Sequence, residues 1–189
     1  MLDAAAAQAL GPQLTSLRSL HHLDLGCTCG GAAGAKSLGL HLARLSALQK
    51  HDPWANNLTE AGFKTLWPHL RSLTTLQCLD LARNDLSTAG ADTLAPLLAS
   101  LASLQDFDLR DNNLRAADAK ALALHIPSLN QLHPLHINRT RKRGAVKTSV
   151  NRIGREGTTA LAPTRGAMLA RQVAWCRTQL QENGTFCAD

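Results

Sequence analysis

Tyrosine is absent, and three Phe and three Trp are the only aromatic residues among 189. A core built from this chain must take its apolar surface from leucine and alanine, so an aliphatic core is expected. No run is apolar over the length needed to span a bilayer, and the start lacks a basic cluster followed by an apolar stretch. The five cysteines, Cys27, Cys29, Cys78, Cys176 and Cys187, are odd in number and irregular in spacing. That argues against a disulfide framework and for reduced thiols, in the cytoplasm or the nucleus. Cys27-Thr28-Cys29 resembles half a metal site, but no second pair or histidine cluster stands at matching spacing, so no metal or cofactor is expected. Also missing are a glycine-rich phosphate loop, G-x-S-x-G, H-E-x-x-H and any nucleophile with a positioned base. His21-His22 has no obvious partner. The chain is therefore read as non-catalytic. Asn183-Gly184-Thr185 satisfies the glycosylation sequon, but without a route to the secretory pathway it reads as coincidence.

Negative charge is scarce at one end. Residues 1–138 carry 10 Lys+Arg against 11 Asp+Glu, whereas residues 139–189 carry 10 against 3. All eight histidines lie in the first part. Such a split suggests different partners for the two parts.

What is present in abundance is leucine, at a fixed period. LQCLDLARNDL at 76–86 has counterparts 28 residues away on either side, LQKHDPWANNL at 48–58 and LQDFDLRDNNL at 104–114. Asn56, Asn84 and Asn112 share one register; so do Gly34, Gly62 and Gly90, and Leu38, Leu66, Leu94 and Leu122. Long-period self-similarity marks a stacked-repeat architecture. The front of each unit, L-x-x-L-x-L-x-x-N-x-L, alternates as a short strand entering a turn, and the back, G-x-x-x-L-x-x-x-L-x-x-L, has the spacing of one helix face. Neither half can bury its apolar face alone, but stacked units join into one sheet and one core. The recurrent asparagine can bond backbone groups that a sharp turn would leave unpaired inside.

These units resemble the ribonuclease-inhibitor-like class of leucine-rich repeats, which also includes the sensing arms of NOD-like receptors and the Ran GTPase-activating protein. The resemblance covers roughly residues 6–165. It implies an α/β leucine-rich-repeat solenoid of about five 28-residue repeats in a horseshoe arc, with a parallel concave sheet and convex helices. It also implies a protein–protein interaction module, a scaffold that seats its partner on the concave face. The alternative is a regulatory fragment of a GTPase-activating or NOD-like receptor-type protein.

The domain expectation is a repeat domain at 1–165 and a C-terminal helix and tail at 166–189. Leu10, Leu14 and Leu17 match Leu38, Leu42 and Leu45, so the chain starts within a repeat. This reads either as a fragment of a longer protein or as an Ala-rich cap. His51 and Pro53 stand where the next unit has Leu79 and Leu81, and a locally weak sheet is expected because proline cannot donate a ladder bond. After LHPLHIN the register returns late. Asn151, Ile153 and Leu161 match Asn112, Leu114 and Leu122 at a shift of 39, which implies an insertion at about 139–150. PLHIN at 134–138 and AVKTS at 145–149 compete for one strand slot; Leu135 and Ile137 favour the first. Leu169, Val173, Cys176 and Leu180 form one helical stripe, suited to capping the open end.

Three features point to binding. Asp24, Asp52, Asp80 and Asp108 share a register, and parallel strands about 4.8 Å apart would set their carboxylates in a row that attracts a basic partner. Lys50 and Trp54 stand beside it, with Trp54 either an exposed anchor or a patch over the poor core at Pro53. Asp106, Arg110 and His136 complete the candidate partner-binding set. The basic run Arg139, Arg141, Lys142, Arg143, Lys147, Arg152 and Arg155 reads first as a solvated insertion. It is also able to contact acidic protein, nucleic acid without sequence preference, or an import receptor.

Overall fold

The computed structural model describes residues 4–28, 30–129, 131–132, 135–137 and 151–163. Helices and short strands alternate along the chain: α1 (Ala4–Leu14), β1 (His22–Asp24), α2 (Gly31–Leu42), β2 (Lys50–Asp52), α3 (Thr59–Leu70), β3 (Cys78–Asp80), α4 (Ser87–Leu98), β4 (Asp106–Asp108), α5 (Ala116–His125) and β5 (Leu135–His136). A single 3-10 turn, Ile126–Ser128, follows α5, and residues 154–163 are helical again. The five strands form one parallel sheet in chain order. Every paired position is offset by 28 residues, as in His22↔Lys50, Cys78↔Asp106 and Asp108↔His136. The repeat period read from the leucines is thus the register of the sheet. Leu135–His136 fills the fifth slot, while AVKTS at 145–149, most of the basic run and the stripe at 169–180 lie outside the described residues.

The core is a continuous stack of columns. Leu48, Leu76, Leu104 and Leu132 lead into the strands, and Leu45, Leu73, Leu101 and Leu129 close the return from the helices; all are buried. Each such side chain contributes roughly 1.5–3 kcal/mol. The expectation of a purely aliphatic core is corrected: Trp67, Phe63 and Phe107 are its largest fully buried side chains. Phe63 and Trp67 stack with centroids 5.0 Å apart. They fill columns where the other helices carry Ala35, Ala91 and Ala119, or Gly39 and Ala123. Leu17 departs from its match to Leu45; it is 47% exposed, whereas Leu45 is buried.

An asparagine ladder ties the strand-to-helix turns together. Asn84 Nδ2 donates to the carbonyls of Pro53, Leu81 and Ala82, and its Oδ1 accepts from the N–H groups of Asn56 at 3.0 Å and Leu58 at 3.3 Å. Asn56, Asn112 and Asn151 repeat this pattern. The N–H groups converge because alternate residues adopt left-handed φ, at Ala55, Asn57 and Thr59 and again at Arg83, Asp85 and Ser87. Successive N–H groups in such an alternating backbone form a concave nest for an acceptor. The asparagine oxygen of the next repeat fills it. Asn151 Oδ1 accepts from Asn112 and Leu114, so the ladder resumes at the 39-residue shift.

The weak point expected at the second repeat takes a definite form. Leu25, Leu81 and Leu109 each donate N–H to the carbonyl of Asp52, Asp108 and His136 on the next strand. Pro53, in the same place on β2, has no N–H to offer opposite Asp80. The sheet continues across this gap, with β2 and β3 paired at two positions rather than three.

Candidate functional site: the concave trough

The strands turn two columns of side chains away from the core. One is His22, Lys50, Cys78 and Asp106; the other is Asp24, Asp52, Asp80, Asp108 and His136. A trough of about 270 Å³ lies over β2–β5, and eight of the nine candidate residues line it: Lys50, Asp52, Trp54, Asp80, Asp106, Asp108, Arg110 and His136. Asp24, on the outermost strand, stands apart from it. Cys78 also lines the trough and His22 borders it, paired to Asp52. Neither was placed in the binding set from sequence, although both share a column with Lys50 and Asp106; the reading of His22 as lacking a partner is corrected by its bond to Asp52.

The acid row stands in register but is not a row of bare charges. Asp24, Asp80 and Asp108 each accept the N–H two residues on, from Gly26, Ala82 and Arg110, at 2.8–2.9 Å. These bonds stabilise the turn leaving each strand, a local reason for aspartate at this register. Asp52, followed by Pro53, is bound otherwise: His22 Nε2 lies 3.0 Å and Lys50 Nζ 3.4 Å from its Oδ2. Arg110 grips Asp108 through Nε at 2.7 Å and through Nη2. Asp106 is paired, among the described residues, with His136 Nε2 alone, at 3.6 Å. Among the described residues, no cation comes within ion-pair distance of Asp80.

The electrostatics follow this pairing. Burial pushes the Asp80 carboxyl above the usual carboxylate range, and Asp108 and Asp52 add to the shift against the Ala82 N–H. Burial likewise raises Asp106, with Asp108 adding and His136 opposing. The Cys78 thiol is raised by burial and by Asp106, which disfavours a reactive thiolate. Among the described residues that line the trough, two fixed cations, Lys50 and Arg110, face four carboxylates, so the lining is net negative.

Trp54 is half-buried, stands outside the core cluster, and lies across Gly26 of the preceding repeat. A Cβ at Gly26 would fall 1.9 Å from the indole nitrogen. The ring therefore forms a wall of the trough rather than a plug beneath Pro53. Of the basic run, Arg152 and Arg155 lie within the described residues and are exposed; Arg152 pairs with Arg115 in a parallel bridge.

A family model described as Leucine Rich repeat matches residues 68–95 and 100–123. The structure is similar to one described as the tropomodulin C-terminal domain, from Caenorhabditis elegans structural genomics. The TM-score is 0.61 at 13% identity, over 89% of this chain and 98% of that one. No curated protein matches. The chain carries leucine-rich repeats and folds as an α/β leucine-rich-repeat solenoid. Domains of this kind generally mediate protein–protein interaction and are typically non-enzymatic. Among the described residues, no helix is long and apolar enough to cross a membrane.

Proposed function

We propose that the protein is a non-catalytic interaction module of the ribonuclease-inhibitor-like class that seats a basic protein segment in its concave trough. The observation that carries this reading is the pair Asp80 and Asp106, two carboxylates raised by burial and weakly neutralised beside a half-buried tryptophan. A lysine or arginine entering the trough would exchange its water for these carboxylates and its alkyl stem for the face of Trp54. The 28-residue unit with a full helix in its back half supports the class. Free Cys27, which is exposed, and free Cys78 support a reducing compartment such as the cytosol.

The test is binding of Lys- and Arg-rich peptides by the full chain and by Asp80→Asn with Asp106→Asn. The double variant is expected to bind about tenfold or more weakly at low salt and to show a flatter salt dependence. Equal affinity and equal salt dependence would remove the trough as the site.

A further inference from the structure

We propose that His51 makes the joint between the first strands an acid-labile seam, at which the N-terminal repeats open while β3–β5 stay folded. The seam requires no partner in the trough.

His51 sits in the middle of β2, paired to Leu23 on β1 and Leu79 on β3, with its side chain in the core and 0% exposed. Its Nδ1 lies 3.2 Å from the Leu23 carbonyl, which makes Nδ1–H the donor and leaves Nε2 as a bare acceptor. Nε2 is buried without a partner among the described residues, and His51 lines a cavity of about 30 Å³ whose walls are mainly apolar. From α2 and α3 that cavity receives only glycine, alanine and leucine side chains, among them Gly34, Leu38 and Leu66. Its two other polar neighbours, Thr28 and Asn56, bond each other and the carbonyls of Leu25 and Pro53, and neither lies within hydrogen-bond distance of Nε2. A proton added at Nε2 would create a buried cation whose new N–H faces no acceptor among the described residues.

The charged groups around the ring do not rescue it. Asp52 on β2 and Asp24 on β1 favour protonation, His22 opposes it, and all three project to the concave side of the sheet. Desolvation dominates and lowers the histidine to about 4. The unfolded or opened segment, with an ordinary value near 6.5, binds the proton first. Stability of the seam is therefore full above about pH 6.5 and is lost progressively as pH falls toward 4.

Opening is local because the strand is weak on its other edge. Pro53 removes the ladder bond toward Asp80, so β2 is held to β3 by less than β3 is held to β4. The core columns of α4 and α5 contain no histidine.

Hydrogen exchange on the full chain between pH 7 and pH 4, corrected for intrinsic rates, tests the seam. Amides of β1 and β2 are expected to lose protection by about two orders of magnitude across this range, while those of β3 and β4 keep theirs. His51→Leu, which restores the residue type of the neighbouring repeat, is expected to abolish that acid response; His51→Gln, which cannot take up a proton, should do the same. Pro53→Leu is expected to slow opening at every pH and leave its pH dependence intact. Simultaneous loss of protection across all strands, or an unchanged acid response in both His51 variants, would overturn the proposal.

Discussion

At the scale of single residues, polar side chains inside the solenoid do more than fill space. Asn84 is fully buried and bonds five backbone groups drawn from the β2, β3 and α3 segments. Asn84→Ala would leave two N–H groups and up to three carbonyls short of a partner, at about 1–3 kcal/mol for each group left truly orphaned. Urea denaturation should show a loss of roughly 3–5 kcal/mol, above the cost of an ordinary surface change. The trough carboxylates have the opposite sign. Asp80 and Asp106 have folded pKa values raised above the unfolded value, so the fold favours their protonated forms. Their stabilising contribution is present below the unfolded value near 3.9 and is lost as pH rises through the raised one. Asp80→Asn and Asp106→Asn should each be more stable than the parent at pH 7, by less than about 1 kcal/mol because both sites are solvated. The gain should fade below about pH 4 in thermal melts. A change that weakens binding while it strengthens the fold would separate function from folding at these two positions.

At the scale of elements, close helix-to-helix contact requires glycine at one position of the glycine register and not at another. Gly62 on α3 faces α2 so closely that a Cβ would lie 2.9 Å from Ala32 Cα, a backbone atom that cannot give way cheaply. Gly34 meets only Ala7 Cβ, at 3.9 Å. Glycine to alanine in a helix ordinarily gains up to about 1 kcal/mol. Gly34→Ala should show that gain, whereas Gly62→Ala should lose about 1–3 kcal/mol through overpacking. Chemical denaturation of the pair checks it. A shared gain would mean that α2 and α3 separate at no cost.

At the scale of the whole molecule, the insertion interrupts the chain but not the stack. Asn151 Nδ2 donates to the carbonyls of Ile137 at 2.7 Å and Leu109 at 2.8 Å, so the ends of the segment between them are pinned together. Removing residues 140–150 leaves Ile137-Asn138-Arg139-Asn151, with the spacing of Leu109-Arg110-Asp111-Asn112 in the preceding repeat. Loop closure costs only about 0.6 kcal/mol per doubling of length. The deletion should therefore shift stability by less than about 1 kcal/mol, read as the midpoint of thermal unfolding. A large loss would mean that the basic run contributes to the core.

The sequence by itself determined the repeat, its 28-residue step, the strand slot at Leu135 and the late return at Asn151. Each is a linear spacing, and a parallel stack converts linear spacing directly into spatial register. The same logic made most of the concave columns legible, including the acid row. Tertiary structure alone decided what those residues are worth. Asp52 is hydrogen-bonded to His22 and paired with Lys50, and Asp108 is paired with Arg110, while among the described residues no cation reaches Asp80, because pairing depends on side-chain reach across neighbouring strands. Trp54 became a wall because Gly26, one repeat away, leaves room for the ring. The core is part aromatic because Phe63 and Trp67 are buried and stacked on each other in α3, at columns where the other helices carry alanine or glycine, a matter of packing rather than of period. His51 reads as decay in a one-dimensional pattern. Only its burial, with Nε2 left without a hydrogen-bond partner among the described residues, turns it into a group whose protonation the fold opposes.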